Sequence, residues 1–151
     1  MTQSTNPDRV LEGKVIIVTG AGRGIGRGIA MLAAQHGAKV VVNDVGANGD
    51  GKGKDGSPAD DVVTEIRQAG GEAVANTDSV AEYSAAEKIV ACAMDTFGRL
   101  DGVMNNAGIL RDTIFHKLDP ADWEAVIGVN LHGPFNVSRA AAPHFRNQSS
   151  G

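Results

Sequence analysis

The sequence predicts an α/β fold built on a doubly wound parallel sheet with helices on both faces. Short runs of β-branched residues alternate with longer amphipathic segments from Lys14 to about residue 147. A glycine-rich turn follows the first apolar run, and a carboxylate follows the second. Alternation of this kind is typical of parallel strands joined by right-handed helical crossovers.

The first two strands and the helix between them are marked by apolar runs and glycines. Residues 15–18 form a compact apolar run, as expected of a strand buried on both faces. Residues 24–36 carry apolar side chains at helical spacing and stop at Gly37. The run at 39–42 predicts a second buried strand.

The later elements follow a polar loop rich in Gly and Lys at residues 46–57, which we expect to be a flexible insertion. Pro58 predicts the start of the next helix, because proline is favoured in a first helical turn. The remaining predicted elements are a strand at 72–75, a helix at 80–97, a strand at 100–104 and a helix from Asp119-Pro120 to about residue 147.

The composition is that of one ordinary globular domain. The chain has 151 residues, a net charge of −4 and 42% apolar residues, so length and composition alone indicate one domain with its own core. A mildly acidic chain with 4% aromatic residues argues against binding nucleic acid or an anionic membrane surface. Glycine is in excess, and twelve of the 20 glycines lie in the first 60 residues.

Nothing in the sequence indicates a metal centre or a membrane segment. Cys92 is the single cysteine, and the four histidines lack the spacing of zinc ligands. No run approaches 18 apolar residues, and the first residues lack the basic and apolar regions of a secretory signal. We therefore expect a cytoplasmic protein without a metal.

The glycine excess is concentrated in a turn between the first strand and the first helix, Thr19-Gly-Ala-Gly-Arg-Gly-Ile-Gly26. Gly20 permits a tight turn, Gly24 permits a pyrophosphate to approach the backbone, and Gly26 permits the helix to pack close to the sheet. The free N–H groups of the helix start then face the phosphates. No Gly-Lys-Ser/Thr closes the turn, which excludes a P-loop. The context predicts a Rossmann-type dinucleotide site.

Asp44 lies at the end of the second strand, 24 residues after Gly20. A carboxylate there accepts hydrogen bonds from both hydroxyls of the adenosine ribose and repels a 2′-phosphate, so it favours NAD over NADP. Arg23 in the glycine turn argues the other way, because a cation pairs with a 2′-phosphate. We expect the carboxylate to outweigh one mobile cation.

Together with Asn105-Asn-Ala-Gly108 after the fourth strand and Asn130 in the following helix, the glycine turn resembles the short-chain dehydrogenase/reductase family over about residues 10–151. The resemblance implies that Asp78 binds the adenine amino group and that Asn130 belongs to the family's Asn-Ser-Tyr-Lys catalytic set. The cofactor-binding residues that it implies are Gly20, Arg23, Gly24, Ile25, Gly26, Asp44, Asp78, Ser79, Asn106, Ala107 and Gly108.

The neighbourhood of Asn130 supports this assignment independently. Pro134 lies four residues later and has no N–H, so it cannot bond the carbonyl of Asn130 as an α-helix requires. A carbonyl left free in this way is suited to holding a water, and the family resemblance implies that such a water links the asparagine to the catalytic lysine. An ordinary proline kink is the alternative.

Within the family, the runs Val41-Val-Asn-Asp-Val-Gly46 and Asn106-Ala-Gly-Ile-Leu-Arg-Asp112 are similar to the hydroxyacyl-CoA dehydrogenase units of multifunctional β-oxidation enzymes. The resemblance implies reversible hydride transfer between NAD(H) and a secondary alcohol or ketone, such as a 3-hydroxyacyl-CoA or a hydroxysteroid. It also implies a homodimer or homotetramer of the full-length parent. The alternative in the same fold is an NADP-dependent 3-oxoacyl carrier-protein reductase.

The family's catalytic serine and its Tyr-x-x-x-Lys pair have no match in these 151 residues. Tyr83 is the only tyrosine, its fourth successor is Glu87 rather than lysine, and it begins the wrong helix. We therefore expect residues 1–151 to be the N-terminal, NAD(P)-binding Rossmann part of one larger dehydrogenase domain, inactive by itself. A non-catalytic nucleotide-binding module, or a missing half supplied by another chain, are the alternatives.

Overall fold

The computed structural model describes residues 8–47, 51–52 and 57–150, so most of the predicted insertion lies outside the described residues. The described strands are β1 (Val15–Thr19), β2 (Lys39–Asn43), β3 (Glu72–Asn76) and β4 (Gly102–Met104). The described helices are α1 (Gly24–Gln35), α2 (Pro58–Gln68), α3 (Tyr83–Phe97), α4 (Pro120–Ile127) and α5 (Gly133–Gln148).

The strands form one parallel sheet in the order β3-β2-β1-β4, which confirms the predicted fold class. Side chains of the two inner strands alternate between two cores, as the pleat requires. Ile17 and Val41 pack with α3 and α5, whereas Val18 and Val42 pack with α1 and α2. Helices therefore cover both faces, and the carboxyl ends of all four strands meet at one edge, where ligands of this fold class bind.

The fourth strand begins at Gly102 instead of residue 100 as predicted. The Gln148 side chain binds both main-chain groups of Leu100: the N–H donates to Oε1 over 2.9 Å, and the carbonyl accepts from Nε2 over 2.7 Å. A contact across 48 residues thus ties the main chain before β4 to the end of α5. Within the described part of the chain β4 pairs with β1 alone, so it is an edge strand.

The helix predicted over residues 80–97 begins only at Tyr83. The Oγ of Ser79 accepts from the N–H of Ala81 over 3.2 Å, and the carbonyl of Val80 accepts from the Asn136 side chain over 2.9 Å. Side chains therefore hold the main chain before Tyr83 in a non-helical form.

The single long helix predicted from Asp119-Pro120 is interrupted. Asp119 caps its first turn, because Oδ1 accepts the N–H of Ala121 over 2.8 Å. Residues Gly128–His132 then form a π-helical segment, in which the N–H of Gly133 bonds the carbonyl five residues back. Pro134 follows this segment by two residues and has no N–H to donate in an α-helical hydrogen bond.

A partly buried ion cluster fastens the start of β1 to the loop before β4. The Asp101 side chain is 5% exposed, and its Oδ2 accepts the Val15 N–H and the Nε of Arg99, both over 2.8 Å. Burial raises the pKa of the Asp101 carboxyl, but the Arg99 hydrogen bond, the Val15 N–H and the charges of Arg99 and Lys14 outweigh it. The pKa of this carboxyl therefore lies below its usual value.

Asp101→Asn is expected to lower the free energy of unfolding by about 1–3 kcal/mol at pH 7, since hydrogen bonds to a charged group are lost. A lowered folded-state pKa stabilises the fold above the unfolded carboxyl pKa, near 3.9, and the effect is lost as the pH falls through the folded value. The difference from wild type should therefore shrink below about pH 4. Urea unfolding from pH 7 to pH 3 measures it, with the exposed Asp112→Asn as the control; an equal loss at every pH would contradict the electrostatic account.

Candidate functional site

The turn between β1 and α1 has the backbone geometry that its glycines predict. Gly20 and Gly24 have φ of +63° and +54°, values that disfavour any other residue. A Cβ on Gly20 would lie 2.8 Å from the Cα of Ala107, whereas a Cβ on Gly24 would meet nothing within 4 Å. A Cβ on Gly26 would overlap the carbonyl oxygen of Gly20. The turn is thus packed against the protein at Gly20 and Gly26 and open at Gly24.

Thr19 joins this turn to the loop after β4. Its side chain is buried, and Oγ1 accepts the main-chain N–H groups of Asn106 and Ala107, both over 3.1 Å. In return, the Nδ2 of Asn106 donates to the carbonyls of Thr19 and Gly20, again over 3.1 Å. With the Thr19 hydroxyl also donating to the Met104 carbonyl over 3.4 Å, five hydrogen bonds link the ends of two neighbouring strands and hold Asn106 against the glycine turn.

The Asp44 carboxylate lies directly after β2 with both oxygens engaged. Oδ2 accepts the N–H of Gly22 in the glycine turn over 2.9 Å, and Oδ1 accepts the N–H of Gly46 over 2.8 Å. A Cβ on Gly22 would lie 2.8 Å from Oδ2 and 2.7 Å from the Cβ of Pro58, so glycine permits this approach. A negative charge is thereby fixed beside the turn.

These groups open onto one cleft of about 660 Å³ at the carboxyl edge of the sheet. Of the predicted site residues, those that line it are Gly20, Arg23, Asp44, Ser79, Asn106, Ala107 and Gly108. The other predicted site residues do not line it: Gly24, Ile25, Gly26, Asp78 and Asn130. Ile25 is 78% exposed at the start of α1.

Asp78 belongs to a side-chain network at the ends of β2 and β3. Its Oδ2 accepts from Nδ2 of Asn76 over 2.9 Å, and its N–H donates to Oδ1 of Asn76 over 3.0 Å. The buried Asn43 donates to the same Oδ1 over 2.8 Å. No described residue bonds the Oδ1 of Asp78, which leaves one carboxylate oxygen for a ligand.

Asn130 lies in the π-helical segment and bonds the main chain after β4. Its Oδ1 accepts the N–H of Ile109 over 2.9 Å, and its Nδ2 donates to the carbonyl of Ile109 over 3.1 Å. A Cβ on Gly108 would lie 3.6 Å from that Oδ1. The asparagine thus fixes the wall of the cleft beside Gly108.

Sequence reasoning missed several groups that shape the cleft. Arg111 lines it and pairs with Asp122 over 2.7 Å, with side chains 15% and 28% exposed. Asn43 and Asn136 are buried and bind main-chain carbonyls of the neighbouring wall. The sequence could have indicated Asn43, because it lies at the end of a predicted strand. Nothing in the sequence indicated Asn136, which lies on a helix far along the chain.

Two features are absent from the described ranges. No helix there is long and apolar enough to cross a membrane. No group of three or more His, Cys, Asp or Glu side chains in the same ranges could hold a metal ion.

A parallel sheet with a glycine turn at its first strand and a carboxylate at its second defines a dinucleotide-binding class of protein. The family model "short chain dehydrogenase" matches residues 14–151. The chain therefore belongs to the short-chain dehydrogenase family, whose members use a nicotinamide cofactor. This confirms the resemblance seen in the glycine turn and the Asn105–Gly108 motif.

The chain is also similar to curated relatives and to a solved structure. It is 53% identical to the short-chain type dehydrogenase/reductase Rv0148 of Mycobacterium tuberculosis, covering 93% of this chain and 49% of that protein. It is 52% identical to peroxisomal multifunctional enzyme type 2 of Mus musculus, covering 93% and 19%. A short chain dehydrogenase from Mycobacterium avium superposes with a TM-score of 0.84 at 48% identity, covering 93% and 50%. The chain thus spans about half or less of the length of these relatives.

Proposed function

We propose that the chain is the NAD-binding part of an oxidoreductase that transfers hydride reversibly between NAD(H) and a secondary alcohol or ketone. The observation that carries the proposal is the Asp44 carboxylate, fixed beside the glycine turn by the Gly22 and Gly46 N–H groups. A carboxylate in this place accepts ribose hydroxyls and opposes a 2′-phosphate.

The residues present fit such a cofactor. Gly24 has open space where a side chain would be, at the start of α1, where N–H groups and the helix dipole favour a pyrophosphate. We assign Gly20, Gly26 and Ile25 to this turn, Asp44 to the ribose, and Asp78 with Ser79 to the adenine. Asn106, Ala107, Gly108 and Arg23 also line the cleft. When bound, the nicotinamide would supply the group that accepts or donates hydride.

The substrate that we propose is a 3-hydroxyacyl-CoA or a hydroxysteroid. The support is the 52% identity to a peroxisomal multifunctional enzyme, together with the two runs that resemble hydroxyacyl-CoA dehydrogenase units. An NADP-dependent 3-oxoacyl carrier-protein reductase is the second candidate, and the position of Arg23 in the cleft favours it. A nucleotide-binding module without chemistry is the third, since no Tyr-x-x-x-Lys occurs in these residues.

The assembled enzyme is proposed to be a homodimer or homotetramer acting on a small-molecule substrate. The cytoplasmic location expected from the sequence stays a prediction, because one relative carries the name of a peroxisomal enzyme. Asn130 is proposed to complete the catalytic set through its carbonyl, which Pro134 cannot bond in the usual α-helical way. Its side chain is already engaged with Ile109.

NADH is expected to bind the wild-type chain more tightly than NADPH, and Asp44→Ala is expected to remove this preference. Losing hydrogen bonds to a charged acceptor should weaken NADH by roughly 10- to 100-fold. Titration of both nucleotides by fluorescence or calorimetry measures it. Asp112→Ala, which removes an exposed carboxylate distant in sequence from the turn, is the control. Tighter binding of NADPH by the wild type would select the carrier-protein reductase instead.

The purified chain is expected to bind NADH without transferring hydride to a 3-oxoacyl-CoA. The physical reason is that no tyrosine activated by a neighbouring lysine is present to exchange the substrate proton. The measurement follows the absorbance of NADH, which is lost on oxidation to NAD, over hours at high protein concentration. Steady consumption of NADH above a protein-free blank would contradict the proposed division between binding and chemistry.

A further inference from the structure

One wall of the cleft is the main chain that leaves β3, where Ser79, Val80 and Ala81 are lining residues. This segment belongs to no helix or strand, so the main-chain hydrogen bonds of a helix or a sheet do not fix its position. It also carries Asp78 and Ser79, to which we assign the adenine. Its placement therefore depends on side chains from elsewhere in the fold.

Asn43, at the end of β2, holds the first half of this segment. The residue is 2% exposed, and its Nδ2 donates to the carbonyl of Asp78 over 2.9 Å and to Oδ1 of Asn76 over 2.8 Å. Because the Nδ2 group of this buried amide donates both of these hydrogen bonds, the side chain has one favourable orientation. The carbonyl of Asp78 is thereby fixed to the sheet.

Asn136, on α5, holds the other half. The residue is 6% exposed, and its Nδ2 donates to the carbonyl of Val80 over 2.9 Å. One turn earlier, a Cβ on Gly133 would lie 2.8 Å from the Cγ2 of Val80, so glycine lets the helix approach this closely. The carbonyl of Val80 is thereby fixed to the helix layer.

We propose that Asn43 and Asn136 form a two-point clamp that sets the position of Ser79 and so determines how the site recognises adenine. The two amides bind the carbonyls on either side of Ser79, one from the sheet and one from the helix layer. Neither asparagine need touch the nucleotide, so both are positioning residues. The inference rests on the proposed function, because it takes the nucleotide to lie in this cleft.

The test compares NADH with its reduced hypoxanthine analogue, in which a 6-oxo group replaces the adenine 6-amino donor and N1 carries a proton instead of accepting one. The wild-type chain is expected to prefer NADH by roughly tenfold, the worth of one or two hydrogen bonds. Asn136→Leu keeps the shape of the side chain but removes the donor, and it is expected to reduce this preference to about twofold or less. Asn147→Leu, an exposed asparagine on the same helix, should keep the full preference.

The ratio of the two affinities separates positioning from general stability. A variant that is merely less stable binds both nucleotides more weakly by the same factor, and that result would overturn the clamp. A wild type that binds both nucleotides equally would overturn it too, whereas a wild type that binds neither would refute the proposed function itself. If Asn136→Leu fails to fold, the ratio of the two affinities is measured for Asn136→Ser and Asn43→Ser instead. Serine is too short to reach the carbonyl of Val80 or of Asp78, so both variants should lose the preference for NADH.

Discussion

Gly26→Ala is expected to abolish nucleotide binding by this chain. The added Cβ would overlap the carbonyl oxygen of Gly20 and the Nδ2 of Asn106, which are parts of the β1 turn and of the loop after β4. Neither can yield without breaking the hydrogen bonds between Asn106 and the turn, so α1 must move away from the sheet. The helix start that faces the pyrophosphate would move with it.

The expected size is a loss of NADH affinity of at least about 100-fold, together with a drop of about 1–3 kcal/mol in unfolding free energy, as for other overpacked sites. Gly28→Ala is the matched control. Gly28 lies two residues later in α1, and a Cβ there would meet nothing within 4 Å. That variant should bind NADH normally and gain roughly 0.5–1 kcal/mol from helix propensity. Equal behaviour of the two variants would contradict the close packing at Gly26.

Thr19→Val is expected to destabilise the chain by about 2–4 kcal/mol, because two N–H groups lose their acceptor at a buried position. The threonine is 1% exposed, and its Oγ1 accepts from Asn106 and Ala107. Valine has the same shape, so the packing of β1 stays intact while the loop after β4 is released. Because that loop also lines the cleft, NADH affinity should fall with stability.

Urea unfolding and NADH titration of the same preparation measure both effects. Thr64→Val, an exposed threonine whose hydroxyl bonds the carbonyl of Asp60 within α2, carries the identical chemical change. It should alter the unfolding free energy by less than about 0.5 kcal/mol, as is usual at the surface. A similar loss in both variants would show that the hydroxyl of Thr19 has no special part in joining the two loops.

Much of the site was predictable because its residues are close together in sequence or lie at strand ends. The glycine turn needs backbone angles that few residues other than glycine adopt, so the residue type alone predicted that Gly20 and Gly24 form it. Asp44 was marked by its place after a buried strand, and the Asn105–Gly108 motif by the family resemblance. The backbone geometry is as expected, but the assignments of all these residues to the cofactor, and of Asn130 to the chemistry, stay predictions.

Other features depended on contacts that no local pattern contains. Leu100 was expected in β4, yet Gln148 takes both of its main-chain groups. The helix from Asp119 was expected to be continuous, yet a π-helical segment occurs before Pro134. Proline indicated a lost hydrogen bond at this place, but it did not indicate which of several distortions would replace it.

By itself, the sequence determined the order of strands and helices, the parallel sheet and the place of the glycine turn. Hydrophobic periodicity and the backbone preferences of glycine act over a few neighbouring residues, so both can be recognised in the sequence. Only the tertiary structure decided that Asn43 and Asn136 meet one segment from opposite sides, and that Asn130 bonds Ile109. A buried amide finds its partner across dozens of residues, and the packing of the two helix layers on the sheet selects that partner.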